Sequence, residues 1–227
     1  MKFYRGLSVA STECEGVLRQ IREKGIVSNI WNWRTEHFRP DGGLIKKINL
    51  SLDDTRPKEI SGVPAACACG DLEGALYYAW RHSRPTERCP VIVEFESPIH
   101  NVAIDGKDFL YTVFQFGVPE KAAPVIRDIY GERGLMYAEL AWKKCDTRAR
   151  IAICDLMIHD SEVIQAHHAN KNAIKGRYGI LFCSAFTVEI PILPDNIIDV
   201  YEAFSPPNEP DKLICLMDLI SLPSFGS

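Results

Sequence analysis

No run of apolar residues in this 227-residue chain reaches the roughly 18 that a membrane-crossing helix needs. A membrane partner is therefore not expected. An excess of positive charge is also missing: 26 Lys and Arg stand against 30 Asp and Glu, a net charge of −4 at pH 7. That argues against a broad basic surface for nucleic acid, and leaves a local patch open. There is no phosphate loop, no G-x-G-x-x-G after a strand and no G-x-S-x-G. P-loop, dinucleotide-fold and α/β-hydrolase chemistry lose their usual signatures. No internal repeat or low-complexity segment occurs. Met1-Lys2-Phe3-Tyr4-Arg5 runs at once into polar residues, so no signal peptide is expected and a reducing, cytoplasmic setting is the default.

Eight cysteines are present. Most lie in apolar runs, as at Ala66-Cys67-Ala68-Cys69, Ile153-Cys154, Phe182-Cys183 and Ile214-Cys215. They read as buried free thiols rather than as a disulfide framework. Cys67 and Cys69 form C-x-C without a second pair at zinc spacing. His159 and His167-His168 lack a carboxylate or cysteine at a recognisable ligand spacing. No metal is expected.

Apolar residues make up 46% and charged residues 25%, an ordinary globular balance. The expectation is one domain over residues 1–227. Phe3 to Leu7 reads as a first strand. A helix follows, opened by a Thr12/Glu15 capping box and stopped at Gly25. Residues 28–64 look irregular and hold Trp31 and Trp33. Pro64 to Gly70 reads as a buried strand, and Asp71 caps a helix through Trp80. Strands are expected at 90–96, 102–104, 110–116, 180–183, 186–190 and 197–201. Helical spacing covers Ala122 to Tyr130 with Gly131 behind it. Residues 135–143 fit helix or strand, and 150–158 are β-rich. The order is α+β rather than a regular β-α alternation.

Three segments carry chemistry together. They are Tyr4-Arg5-Gly6 on the first strand, Ala66-Cys67-Ala68-Cys69 leading into a helix with Ala75, Tyr77 and Tyr78, and Thr187-Val188-Glu189-Ile190 followed by Pro194 and Ile197-Ile198-Asp199-Val200. In this order they resemble the ADP-ribosyltransferase superfamily, in its branch with arginine on the first strand and a late catalytic glutamate. Phe186 to Tyr201 is also similar to the end of DNA-modifying ADP-ribosyltransferase toxins. The resemblance covers three short motifs spread over most of the chain.

What the resemblance implies is a split β-sheet core with a few flanking helices, and NAD as co-substrate. The activity it implies is transfer of ADP-ribose to a macromolecular acceptor, with release of nicotinamide. Arg5, with its planar fork of donors, would hold the pyrophosphate or the nicotinamide ribose. Gly6 would let its backbone meet the nicotinamide amide. Glu189 would stabilise positive charge on the ribose as the glycosidic bond breaks. Tyr4, Cys67, Cys69, Tyr77, Tyr78 and Trp31 would complete the NAD-binding set. The acceptor is an unknown protein or nucleic acid. Such enzymes serve as toxins or effectors, so delivery into a host cell and an antitoxin or immunity partner belong to the implication. His167-His168 to Tyr178 would be an acceptor-contacting loop.

The sequence departs from the pattern where Cys67 and Cys69 stand in place of the usual serines, and where Thr187 occupies the position that arginine-modifying members fill with an acid or amide. Three other readings stay open. The same fold suits an NAD glycohydrolase, an RNA phosphotransferase or a non-catalytic binding module. Residue by residue, the plainer alternatives are a surface ion pair for Arg5, a solvent-facing Glu189, core cysteines, packing tyrosines, anchoring tryptophans and a solvated polar loop.

Overall fold

Alternation of apolar and polar residues builds the first element. In the computed structural model, which describes residues 1–27, 36–37, 63–81, 87–106, 109–176, 181–210 and 213–221, strand β1 spans Lys2–Ala10 and buries Phe3, Arg5, Leu7 and Val9. The odd positions face one core, as a period of two requires. A 3-10 turn, Ser11–Glu13, leads into helix α1, Cys14–Lys24. The expected capping box does not form. Ser11 is still tied to the sheet, its amide donating to Glu87 O at 3.0 Å. The helix therefore starts after Glu13, which makes no side-chain cap. Gly25 ends it at φ 70°, in the left-handed region glycine tolerates.

By backbone proximity the chain groups into two units, the first drawn from residues 1–37, 62–103 and 181–211. Its strands are β1, β2 (Glu36–His37), β3 (Val63–Cys69), β4 (Arg88–Glu96), β5 (Val102–Ile104), β7 (Leu181–Phe182), β8 (Ala185–Glu189) and β9 (Ile197–Glu202). The antiparallel sheet runs β5-β8-β3-β1-β4-β9, with β2 added to β3. Helix α2, Leu72–Arg81, packs on β1 and β4. As expected, Asp71 caps it, Oδ1 accepting from Gly74 N at 2.6 Å. Phe3 meets Phe186 edge-on at 5.3 Å and lies 5.9 Å from Phe95, which ties three strands through one aromatic cluster.

The second unit is drawn from residues 38–61, 104–180 and 212–227, and its described residues are mostly helical. Two strand expectations fail here. Residues 110–116 form helix α3, Leu110–Phe116, with Leu110, Val113 and Phe114 buried at helical spacing. The β-branched and aromatic content of that run disguised an i, i+3, i+4 pattern. Residues 150–158 lie mainly in helix α5, Thr147–Met157, started by Asp146 accepting from Ala149 N at 2.9 Å. Between them α4, Pro119–Trp142, is broken at Gly131 (φ 75°), so the expected stop is present and a helix resumes beyond it. The polar stretch at His167-His168 is the end of helix α6, Ser161–Ala169, not a loop. His167 is 0% exposed and stacks on Tyr130 at 4.6 Å. Asn170 and Asn172 close the turn after it through two mutual hydrogen bonds. Arg177 and Tyr178 lie outside the described residues. Strands β6 (Ala173–Lys175) and β10 (Leu213–Cys215) pair in parallel.

One cysteine pair also departs from the free-thiol expectation: Cys14 of α1 and Cys89 of β4 are joined as a disulfide. Neither sits in the apolar runs that marked most of the others. The helix start and the strand bring them together over 75 residues of sequence.

Asp160 organises the helical unit. It caps α6 through Glu162 N and Val163 N, and binds Arg133 Nε at 2.5 Å and Tyr137 OH at 3.0 Å. Burial pushes its carboxyl up, but the hydrogen bonds from Arg133 and Tyr137 outweigh this and hold it below the ordinary carboxylate range. Its stabilisation is therefore present above that range and lost as pH falls through the lowered pKa. Asp160→Asn keeps a capping oxygen and removes the charge. It is expected to cost about 1 kcal/mol at neutral pH and to shallow the acid-side loss of stability in urea unfolding followed from pH 7 toward pH 2.

Candidate functional site

The first and second sequence segments lie on either side of a parted sheet, and the third lies on the strand beyond the second. β1 pairs with β4 over all nine of its residues, and β3 pairs with β8 from Ala65 to Cys69. Between β1 and β3 the register holds one pair, Tyr4 with Cys69. The next rung of an antiparallel ladder would join Gly6 to Cys67, and it does not form. The strands diverge there, and β2 takes up the edge of β3 at Val63 and Pro64.

The backbone directions at this fork follow from the neighbouring hydrogen bonds. Ser97 N donates to Met1 O, and Ser11 N to Glu87 O, so odd residues of β1 turn their polar groups to β4. Even residues, Gly6 and Ser8 among them, turn theirs toward β3. On the other side, Ile190 N donates to Pro64 O and Gly70 N to Ser184 O, so Cys67 and Ala65 turn theirs toward β1. The fork is thus lined by backbone amides and carbonyls of both strands.

Two arginines bridge part of this lining. Arg5, 6% exposed, donates from Nη1 to Cys67 O at 2.6 Å, where the missing rung would have lain. Burial lowers the pKa of its guanidinium. It is neither a surface ion pair nor an exposed anion fork; it holds the far strand. Arg88 crosses to the same edge of β1, donating from Nε to Ser8 Oγ at 2.8 Å and from Nη2 to Ser8 O. Sequence reasoning missed Arg88, because its partner is fixed by cross-strand register and not by spacing.

Gly6 explains itself by packing. A Cβ there would lie 1.9 Å from Ala75 O and 2.8 Å from Ala79 N, both backbone atoms of α2. The helix sits directly on β1 at this point. Tyr4, Leu72, Leu76, Tyr78 and Tyr201 pack around the buried Cys69, Ala75, Ala79, Ile92 and Ala203. Tyr77 meets Tyr78 edge-on at 6.5 Å. The Cys69 thiol is pushed well up by burial, followed by the nearby Asp71 carboxylate, which keeps it protonated. Cys69 lies in this buried cluster and Tyr78 packs against it, while Cys67 is half-buried. Trp31 and Trp33 lie outside the described residues.

Glu189 ends β8 opposite Ala65 and is half-buried. By the pleat it shares a face with Thr187 on its own strand and with Ala65, Cys67 and Cys69 on β3, while the fully buried Val188 takes the other face. Arg5 has the parity of Phe3 and Leu7, opposite to that face, and reaches the fork through its side-chain length. A second junction was not legible in the sequence. Asp71 Oδ2 accepts from Ser184 N at 3.2 Å, and Ser184 Oγ accepts from Gly70 N at 3.1 Å. It fastens the turn after β3 to the turn before β8, and so fixes the two strands that carry Cys67 and Glu189.

No protein-family model matches the chain, and comparison with curated proteins and with solved structures gives no match.

The fork yields two expectations. Gly6→Ala is expected to lower stability by about 3 kcal/mol, read as a shift of the urea midpoint, because helix backbone cannot yield as a side chain can. Arg5→Met leaves the Cys67 carbonyl without its buried donor. It should cost about 1–3 kcal/mol and speed amide hydrogen exchange at Ala66 and Ala68 relative to Val91 and Val93.

Proposed function

We propose that the chain is a mono-ADP-ribosyltransferase that takes NAD as co-substrate and passes ADP-ribose to a macromolecular acceptor. The observation that carries this reading is the parting of β1 from β3 after a single rung, with Arg5 and Gly6 on one lip, Cys67 on the other and Glu189 on the adjoining strand. At this parting the β3-facing edge of Gly6 carries no rung to Cys67. An amide such as nicotinamide needs one donor and one acceptor, and the β3-facing edge of Gly6 supplies both. The split core that the three motifs imply is supported by the same pairing.

In this reading Gly6 aligns the nicotinamide ring along the strand edge. Arg5 fixes the lip of β3 and adds positive charge near the phosphates. Glu189 places a carboxylate beside the ribose carbon. As the bond from that carbon to the pyridinium nitrogen breaks, the electron pair leaves with nicotinamide and the ribose becomes cationic. Glu189 stabilises that cation and orients the acceptor nucleophile, whose proton departs as the new bond forms.

A non-catalytic binding module is the second reading. It is favoured by the two cysteines in place of serines and by the engagement of Arg5 with a protein carbonyl. Nicotinamide release from NAD separates the two. With cell lysate as acceptor, the wild type is expected to release nicotinamide. Glu189→Gln should reduce the rate at least 100-fold with unchanged folding, and Arg5→Lys should weaken NAD binding about 10-fold. Absence of release together with absence of NAD binding by calorimetry rejects the transferase and leaves the module.

A further inference from the structure

Away from the fork, three metal-ligating side chains converge from three elements. Cys14 opens α1, Cys89 lies on β4 and Glu202 ends β9, and their ligand atoms all fall within 4.8 Å of one another. The register explains the meeting. Glu202 pairs with Val91, two residues from Cys89, so Cys89 and Glu202 are diagonal neighbours on one face. Helix α1 lies over β9 and β4 and lowers Cys14 onto the pair. Both sulfurs are buried, Cys14 at 7% and Cys89 at 4% exposure, and Glu202 is half-buried.

We infer that the reduced form of this cluster is a binding site for a soft divalent cation of the zinc class, and that the Cys14–Cys89 disulfide is the alternative state of the same sulfurs. The donor set is the first argument. A disulfide is neutral and offers a carboxylate no proton and no charge, so Glu202 gains nothing from its company. Two thiolates and a carboxylate match a borderline-soft cation, with one position left for water. The second argument is position. Cys14 is the first residue of an eleven-residue helix, where the helix dipole favours a thiolate. The third is the remaining thiol content. The other six cysteines are in no disulfide, the exposed Cys145 among them, which suits a reducing compartment where a permanent disulfide is uncommon. Closure of the bridge needs an oxidant. A small-molecule disulfide serves: the two thiols lose two protons and two electrons, one S–S bond forms, and the reagent is reduced to two thiols.

The test uses the full chain, reduced with a phosphine and kept without oxygen, then titrated with Co²⁺ alone. One Co²⁺ per chain should bind with a thiolate-to-cobalt charge-transfer band in the near ultraviolet, and added Zn²⁺ should displace it. Cys14→Ser and Cys89→Ser should each lower cobalt affinity at least 100-fold with unchanged circular dichroism. Glu202→Gln, at the half-buried ligand, should lower it about 10-fold. Cys67→Ser/Cys69→Ser should leave the band intact. Oxidised glutathione given first should abolish the band, and reductant should restore it. The inference is overturned if no band appears in the reduced protein, if the band survives Cys89→Ser, or if mass spectrometry shows a bridge that reductant leaves in place under native conditions.

Discussion

The close seat of helix α2 on strand β1 governs the first unit. Ala75 O and Ala79 N occupy the space where any side chain at position 6 would stand. Once the helix takes that place, Tyr4 and Cys69 are drawn beneath it into one apolar cluster, and the single β1–β3 rung is held there. Beyond that rung the two strands separate. Arg5 spans the opening with a hydrogen bond to the carbonyl that a ladder would otherwise have used. A missing side chain and a long one thus act as a pair: the first admits the helix, and the second keeps the parted edge of β3 from carrying a buried, unsatisfied acceptor.

The surrounding junctions fix the lips of that opening. Asp71 and Ser184 tie the turn after β3 to the turn before β8, so the strands bearing Cys67 and Glu189 are joined at their turns as well as along their ladder. Arg88 joins β4 to the exposed edge of β1 at Ser8. The ends of the sheet carry different duties. Lys2, Glu94 and Tyr201 form a polar cluster on β1, β4 and β9, and burial with the Glu94 charge pushes the Tyr201 phenol up to about 12. On the opposite face Cys14, Cys89 and Glu202 converge beneath α1. The chemistry proposed for the fork and that proposed for the sulfur cluster rest on separate residues.

Much of the first unit was legible from local pattern. The strand around Phe3, the small-residue strand before Asp71, the strand around Val91 and the strand before Ile190 all show period-two or continuous apolar runs bounded by turn residues. The helical unit was less legible. Leu110 to Phe116 and Arg150 to Ile158 are rich in β-branched and aromatic residues, and propensity pointed the wrong way because tertiary burial overrides it. His167 looked like a polar loop residue, yet it is wholly buried against Tyr130. Of the candidate site, Arg5, Gly6, Cys67 and Glu189 were named from the family resemblance that the order of the three motifs carries. Their true surroundings, a carbonyl for Arg5 and helix backbone for Gly6, came only from long-range packing.

By itself the sequence determined the α+β character, the positions of most strands, the Gly25 stop and the Asp71 cap. Each of these depends on neighbours a few residues apart, where hydrogen-bond geometry and side-chain period leave a local imprint. The tertiary structure alone decided the place where β1 leaves β3, the partners of Arg5 and Arg88, the Asp71–Ser184 lock and the meeting of Cys14, Cys89 and Glu202. Those contacts span from 62 to more than 100 residues. Cross-strand register sets them, and register is a property of two paired strands that neither strand states alone.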